Sequence, residues 1–173
     1  MRLPRRFAIS ERDDTYGNLY SVWSYAGTFM GQVFTGVARA AFEHALQYCH
    51  ERRQGGRLLI DHQMTRLRIG KMLRRVEAAR SVARRSHSYS RLSPLTHPYF
   101  TASAKVTVTE EALAVVQEAF RLFGGNGTSR AYPIEKLLRD TQSALIEDGE
   151  NYILTMRFGT LAQQLYAEGW SQS

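Results

Sequence analysis

A glycine-rich segment carries the residue types best suited to holding a ligand. Gly124, Gly125 and Gly127 fall within four residues between two helical patterns, and Pro133 opens the second pattern. Glycine permits positive φ and lets a ligand lie against bare backbone, while the free N–H groups of a helix start bind phosphate. A helix end and a turn would explain the first two glycines but not the third. The segment therefore predicts a loop shaped around an anionic ligand.

Three carboxylates crowd another glycine further along the chain. Glu147, Asp148 and Glu150 surround Gly149, which interrupts the helical pattern. A carboxylate among like charges can serve as a general base that removes a proton from a substrate. The alternative is a helix end followed by a new helix with acids in its first turn, which the helix dipole favours. The residues alone favour this second interpretation.

Arg52 and Gln63 lie on either side of a paired glycine, Gly55-Gly56. An arginine here could clamp a pyrophosphate, and a glutamine could both donate and accept a hydrogen bond. An arginine at a helix C-terminus also complements the helix dipole without binding anything. Spacing alone leaves the two interpretations equal. The paired glycine is predicted to end the first helix, and Asp61 is predicted to cap the second.

Positive charge is concentrated in one part of the chain. The formal net charge is +7 over 173 residues, and between residues 66 and 91 a single acid, Glu77, accompanies nine bases. Such a segment attracts nucleic acid, phosphorylated cofactors or a membrane surface, or it forms a solvated helix face. We favour the solvated face. The nine bases are Arg66, Arg68, Lys71, Arg74, Arg75, Arg80, Arg84, Arg85 and Arg91.

The remaining composition argues against several classes of protein. No apolar run approaches the ~20 residues of a membrane span, and the N-terminus lacks the apolar stretch of a signal peptide. The five histidines form no zinc-binding pattern, and the single cysteine, Cys49, fits a small core residue better than a nucleophile. We therefore expect a cytoplasmic protein without a bound metal.

Apolar residues recur at helical spacing along most of the chain. The pattern predicts helices over 16–53, between 61 and 93, and over 99–123, 133–146 and 151–165. No window shows sustained strand alternation, so the fold class is all-α, an antiparallel up-down bundle of four to five helices. The predicted divisions are an irregular lead-in over 1–15, the bundle over 16–168 and a tail over 169–173.

The helical stripes also predict the core. The charge-free segment 20–34 is expected to be buried, against another subunit or a further domain. The residues assigned to the core are Val33, Val37, Ala41, Ala45 and Tyr48 of the first helix, Met64, Leu67, Met72, Leu73, Val76, Ala79 and Ala83 of the second, and Val108, Ala112, Val115, Val116, Ala119 and Leu122 of the third.

Six motifs follow one another in order along the chain. They are Gly36-Val-Ala-Arg-Ala-Ala-Phe-Glu-His-Ala45, Glu51-Arg52, Asp61-His-Gln63, Gly124-Gly-Asn-Gly127, Tyr132-Pro-Ile-Glu-Lys-Leu-Leu-Arg-Asp140 and Asp148-Gly149. Their order and spacing, from about residue 30 to 160, resemble the C-terminal helical domain of acyl-CoA dehydrogenases. The run through the glycine segment to Asp140 is the most specific part of the resemblance.

The resemblance implies an FAD enzyme of fatty acid metabolism that introduces an α,β double bond into an acyl thioester. In that chemistry a carboxylate removes the α-proton while the flavin accepts the β-hydride. Matched by position, Asp148 would be the base and Glu147 its substitute, and Arg52 would reach the flavin diphosphate across a subunit interface. The positions assigned to flavin binding are Arg52, Gln63, Arg121, Gly124, Gly125 and Glu150.

The chain departs from the family pattern at four positions. Family members usually carry an aromatic residue where this chain has Gly55 and a glutamine where it has Arg121. Many carry a substrate-binding arginine near Gly27 and a glutamate where it has Asp148. The last change shortens the base by one methylene group, which matters because proton abstraction is sensitive to small displacements.

The resemblance also implies partners. The substrate would be an acyl-CoA or acyl-carrier-protein thioester, and electrons would pass to an electron-transfer partner or to O2. Family members carry an N-terminal helical domain and a β-barrel, so the chain alone is expected to be inactive. It would act as a homodimer or homotetramer, or with a complementary subunit that bears the barrel. The alternatives are an acyl-CoA oxidase or flavin monooxygenase on the same fold and, less favoured, a non-catalytic basic bundle that binds nucleic acid.

Overall fold

A computed structural model describes residues 4–7, 15–92, 98–167 and 169. Its helices are α1 (Thr15–Glu51), α2 (Gln63–Leu92), α3 (Pro98–Phe123), α4 (Ile134–Ala144) and α5 (Asn151–Ala167). Short 3₁₀ turns cover Arg5–Phe7, Leu59–Asp61 and Gly124–Thr128, and a small hairpin pairs β1 (Arg53–Gln54) with β2 (Arg57–Leu58). The predicted all-α bundle is confirmed. The predicted lead-in and tail fall largely outside the described residues, and the domain bounds stay a prediction.

Helix α3 lies at the centre of the bundle, in contact with all four other helices. Its predicted stripe is buried except at Leu122, which is partly buried. Val108, Val115 and Val116 are closed off from solvent. Burying a side chain of this size contributes about 1.5–3 kcal/mol. Small residues face it from α1 and α2, which lets the helices approach closely. These fully or almost fully buried alanines are Ala38, Ala41, Ala45, Ala79 and Ala83.

Part of the predicted core is wrong for α2. Met64, Leu67 and Leu73 are exposed, Met64 by 62%. The rest of the predicted stripe is buried, namely Met72, Val76, Ala79 and Ala83. Leu73 follows Met72 by one residue and therefore points about 100° away from it around the helix. The predicted stripe was too wide, because a run of neighbouring apolar residues does not reveal which of them faces the bundle.

The connection between α1 and α2 also differs from the prediction. Helix α1 ends at Glu51, before the paired glycine, and Gly55 and Gly56 form the hairpin turn with φ of +60° and +81°. Two successive positive φ values are typical of a type I′ hairpin turn, which glycine adopts without strain. Asp61 does not cap α2, because it belongs to the 3₁₀ turn and His62 intervenes before the helix starts at Gln63.

The charge-free first half of α1 is only partly buried within this chain. Thr28 is enclosed, and a Cβ on Gly27 would lie 2.9 Å from the backbone oxygen of Thr101, so the contact between α1 and α3 requires glycine there. On another face Phe29 is 65% exposed within this chain, and Val33 is also exposed although it lies on the predicted apolar stripe. Burial of the segment against another subunit or a further domain stays a prediction. No helix in the described part of the chain is long and apolar enough to span a bilayer.

Candidate functional site

The glycine segment forms a short 3₁₀ helix rather than an open loop. Its three glycines differ in whether backbone conformation or close packing requires glycine at that position. Gly124 ends α3 with φ of +57°. A Cβ on Gly127 would lie 2.9 Å from the carbonyl oxygen of Phe120, so packing excludes any larger residue. Gly125 has neither constraint, because it is exposed, its φ is not positive and a Cβ would meet nothing within 4 Å. Only Gly125 is therefore left for a ligand to explain.

The glycine segment is fixed to the end of α1. Asn126 Nδ2 donates a hydrogen bond to Tyr48 Oη at 2.9 Å. The Tyr48 ring stacks on Phe123 with centroids 4.1 Å apart, and Tyr132 packs edge-on against both rings. Aromatic pairs of this kind contribute about 0.5–1.5 kcal/mol beyond area burial. The sequence pattern placed Tyr48 in the core but did not reveal that it anchors the segment.

Arg52 lies one helical turn after Tyr48 and therefore at the same end of the bundle. Its backbone N–H bonds to Tyr48 O at 2.9 Å, and its carbonyl accepts a hydrogen bond from Leu59 N at 2.8 Å. The guanidinium is exposed, and no acceptor contacts it among the residues that the structure describes. Gln63 is exposed as the first residue of α2. Both side chains are free to meet a ligand or a second chain.

Arg121 is engaged within the bundle. Its Nη1 donates to Glu118 Oε1 at 2.7 Å, and Arg68 approaches the other oxygen of Glu118 at 3.8 Å. Because Arg121 and Glu118 are one turn apart on α3, this ion pair can break at little cost. The predicted flavin contact of Arg121 stays a prediction.

The acid turn, residues 147–150, lies between α4 and α5. Glu147 and Asp148 are exposed, and Asp148 is the only non-glycine residue with positive φ, +53°, in the described part of the chain. Gly149 follows with φ of +102°, and a Cβ there would lie 3.2 Å from Leu154. Asn151 N donates to Leu145 O at 3.0 Å and closes the turn. The backbone is thus held in a rare conformation at the predicted base.

Glu150 has a local structural role. It directly precedes α5, and its Oε2 accepts a hydrogen bond from Ile153 N at 3.1 Å. A side chain before a helix that bonds the third helical N–H is an N-cap. This agrees with the interpretation favoured from the residues alone, while the assigned flavin contact of Glu150 stays a prediction.

A buried lysine, which the sequence pattern did not single out, lies beneath the acid turn. Lys105 of α3 is 0% exposed, and its Nζ donates to Gly149 O at 2.6 Å and to Asn151 Oδ1 at 2.8 Å. Asn151 Nδ2 in turn donates to Thr109 Oγ1 at 3.1 Å. Burial lowers the pKa of the Lys105 ammonium, and nearby carboxylates oppose that fall. Those carboxylates belong to Asp148, Glu147, Glu150 and Glu110.

A signal for Lys105 does exist in the sequence. Position 105 extends the apolar stripe of α3 by one turn before Val108 and Thr109, and it is the only Lys, Arg, Asp or Glu between Arg91 and Glu110. A charged residue on a core stripe indicates a buried partner, because an unpaired buried charge is costly. The partners themselves could not be foreseen.

The structure separates the predicted site residues into two groups. Arg52 and the glycine segment lie at the Phe123 end of α3, whereas the acid turn contacts Lys105. Phe123 follows Lys105 by 18 residues, so these two points of contact on α3 lie about 27 Å apart along the helix at 1.5 Å per residue. One chain therefore does not bring the predicted base and the predicted diphosphate contacts into one cluster.

The basic segment of α2 is partly neutralised within the bundle. Arg75 Nη1 lies 2.7 Å from Glu111 Oε2 of α3, and Arg80 pairs with Glu77 on its own helix. These contacts favour a structural use for part of the charge. His, Cys, Asp and Glu form no potential metal-binding group of three in the described ranges.

Comparisons with known proteins agree with this architecture. Residues 29–161 match the family model of the acyl-CoA dehydrogenase C-terminal domain. The benzylmalonyl-CoA dehydrogenase of Aromatoleum aromaticum is 30% identical over 148 residues, 84% of this chain and 38% of that protein. The cyclohex-1-ene-1-carbonyl-CoA dehydrogenase of Syntrophus aciditrophicus is 26% identical over 92% of this chain and 38% of that protein.

Solved structures show the same fold. A butyryl-CoA dehydrogenase from Megasphaera elsdenii superposes with a TM-score of 0.86 at 24% identity, over 93% of this chain and 42% of that one. A glutaryl-CoA dehydrogenase in complex with glutaryl-CoA gives 0.85 at 25% identity, over 98% and 42%. The chain thus spans about two fifths of the length of these relatives. It belongs to the acyl-CoA dehydrogenase family and corresponds to the C-terminal domain, which confirms the resemblance.

Proposed function

We propose that this chain supplies the base and part of the flavin site of an enzyme that forms an α,β double bond in an acyl thioester. The observation that carries the proposal is the backbone of Asp148, which is left-handed at the position that the resemblance assigns to the base. A positive φ is uncommon outside glycine, although aspartate adopts it more readily than most residues, and such positions cluster at functional sites. The family match of residues 29–161 supports the reaction class.

The proposed chemistry needs an exposed, ionised carboxylate that can reach the acyl chain. Asp148 is exposed on its turn, and in this proposal one of its oxygens takes the α-proton of the thioester. FAD, when bound, would accept the hydride from the β-carbon. Glu147, the exposed neighbour, is the proposed substitute base.

The residues at the other end of the bundle fit a flavin diphosphate. Gly125 offers bare backbone, and no contact with the residues that the structure describes requires glycine there. Arg52 offers a guanidinium without an internal partner among the same residues. Arginine binds phosphate through paired, charge-assisted hydrogen bonds. Gln63, exposed at the start of α2, is proposed to add a side-chain hydrogen bond.

The separation of about 27 Å along α3 supports a site shared between chains. We assign the base of one chain to one flavin, and Arg52 of the same chain to the flavin of a neighbouring subunit. The rest of each flavin site would then come from another chain, in a homodimer, in a homotetramer or from a complementary subunit that bears the barrel domain. The substrate would be an acyl-CoA or acyl-carrier-protein thioester.

Replacing Arg52 with alanine should weaken flavin binding by at least about tenfold, because a hydrogen bond to a charged group contributes about 1.5–3 kcal/mol. Fluorescence titration of the apoenzyme with FAD measures this change. Arg53→Ala is the matched control, because Arg53 is also exposed but lies on the hairpin strand that follows. Unchanged FAD affinity for Arg52→Ala would rule out the diphosphate assignment.

The electron acceptor decides between a dehydrogenase and an oxidase on this fold. A dehydrogenase should reduce an electron-transfer flavoprotein and release little hydrogen peroxide in air. Stoichiometric peroxide per double bond formed would assign the enzyme to the oxidases instead, and an oxygenated product would indicate a monooxygenase.

A further inference from the structure

We propose that Lys105 is a positioning residue for the acid turn, whose buried ammonium holds the Gly149 carbonyl and the Asn151 side chain and thereby sets the direction of the Asp148 carboxylate. The inference rests on the proposed function, because it takes Asp148 to be the base. Lys105 itself touches neither substrate nor flavin in this proposal. It acts through the backbone that follows Asp148.

The contacts of Lys105 are directed at the turn itself. Its two hydrogen bonds, at 2.6 and 2.8 Å, end on Gly149 and Asn151, the first and third residues after Asp148. Fixing the Gly149 oxygen fixes the orientation of the peptide plane between residues 149 and 150. No backbone N–H of the described residues donates a hydrogen bond to Gly149 O. The ammonium therefore supplies a constraint that the local backbone lacks.

A second layer of hydrogen bonds fixes the lysine's own acceptor. Asn151 Nδ2 donates to Thr109 Oγ1 at 3.1 Å, and Thr109 Oγ1 donates to the carbonyl of Lys105 at 2.8 Å. The lysine, the asparagine and the threonine thus form one buried network between α3 and the start of α5. Fully satisfied buried networks are rigid, and loss of one member is costly.

The chemistry of the network favours a charged lysine over a packing residue. Burying an ammonium is costly unless it is paired, so a lysine used only to fill space would be a poor choice here. Burial does lower the pKa of Lys105, and the opposing carboxylates of Asp148, Glu147 and Glu150 all belong to the acid turn, with Glu110 on α3. Charge attraction and hydrogen bonding thus hold the same four-residue turn.

The first test measures the turn directly by amide hydrogen exchange in the full chain. The reporter is the Asn151 amide, which bonds to Leu145 O and closes the turn. Lys105→Met should accelerate its exchange about tenfold or more, while the Val115 and Val116 amides of α3 report any global opening. Lys136→Met is the matched control, because Lys136 is exposed and pairs with Asp140 on α4. Unchanged relative protection of Asn151 overturns the proposal.

A milder variant keeps the test decisive if Lys105→Met does not fold. Thr109→Val removes the hydroxyl that Asn151 contacts while preserving shape, and should accelerate exchange at Asn151 by about threefold. Exchange at Asn151 that stays at the wild-type rate would show that the network does not hold the turn.

The second test is kinetic and uses the flavin-loaded enzyme. Misdirecting the base should lower kcat for Lys105→Met by about tenfold or more, because proton abstraction depends on sub-ångström placement. KM should stay within about twofold, because Lys105 does not bind substrate. If Lys105→Met accelerates exchange at Asn151 but leaves kcat unchanged, Lys105 has only a structural role. That result would overturn the proposal.

Failure of the proposed function can be distinguished from failure of the inference on Lys105 by comparing the Asp148→Asn and Lys105→Met variants. If Asp148→Asn retains full turnover, the base assignment falls and the positioning role of Lys105 falls with it. If Asp148→Asn is inactive but Lys105→Met is fully active, only the inference on Lys105 is overturned.

Discussion

Replacing Asp148 with asparagine should lower the rate of acyl-CoA oxidation by about 10³-fold, within the range expected for loss of a general base. The substitution keeps the shape of the side chain but removes its ability to accept the α-proton as a carboxylate. Asparagine, like aspartate, tolerates positive φ, so the turn with φ of +53° should persist. The measurement is stopped-flow loss of flavin absorbance after mixing the enzyme with a series of acyl-CoA thioesters.

Two variants control this experiment. Asp140→Asn makes the same chemical change at a residue that pairs with Lys136 on α4, and should leave the rate unchanged. Glu147→Gln removes the neighbouring carboxylate and should have a small effect. A wild-type rate for Asp148→Asn would eliminate it as the base, and inactivity of Glu147→Gln in its place would move the base to Glu147.

Alanine substitutions in the glycine segment should distinguish the glycine that packing requires from the glycine that is proposed to contact a ligand. Gly127→Ala should lower the free energy of unfolding by about 1–3 kcal/mol, because the new Cβ would lie 2.9 Å from the backbone oxygen of Phe120 and the segment would have to shift. Gly125→Ala should change it by less than about 0.5 kcal/mol, because its Cβ would enter open space. Urea unfolding monitored by circular dichroism measures both values.

Gly125→Ala, which should leave stability unchanged, should instead lower the affinity for FAD. Gly125→Ala places a methyl group on the backbone proposed to lie against the flavin, so FAD binding should weaken although the fold is intact. Gly36→Ala is a matched control, because Gly36 is also exposed and without neighbours within 4 Å but lies mid-way along α1. Equal FAD affinity for Gly125→Ala and the wild type would contradict a flavin contact at this glycine.

Several features could be predicted from the sequence because they depend on local spacing. Helical periodicity predicted α1 and α3 to within about two residues at each end, a margin typical of helix assignment. The glycine segment and the acid turn were identifiable because glycine and clustered acids are conspicuous between regular stripes. The order of six short motifs was sufficient to indicate the family. Each of these signals can be recognised along the chain and needs no knowledge of packing.

Other features could not be predicted because they depend on what a residue meets across the bundle. Leu73 and Val33 fit an apolar stripe, but the phase of each helix against its neighbours leaves both exposed. Gly55-Gly56 suits a helix end as well as a hairpin turn, and the choice depends on where α1 stops. The ion pair between Arg75 and Glu111 required knowing that α2 lies against α3.

The sequence by itself determined the helices, the family and the chemical types at the candidate site. Only the tertiary structure decided that Gly127 serves packing while Gly125 does not, and that Lys105 is buried beneath the acid turn. It also decided that the proposed base and the proposed diphosphate contacts lie towards opposite ends of α3. The physical reason is that burial, close approach and charge pairing arise where segments distant in the chain meet, whereas periodicity and motif spacing can be recognised along the chain without knowing which segments meet.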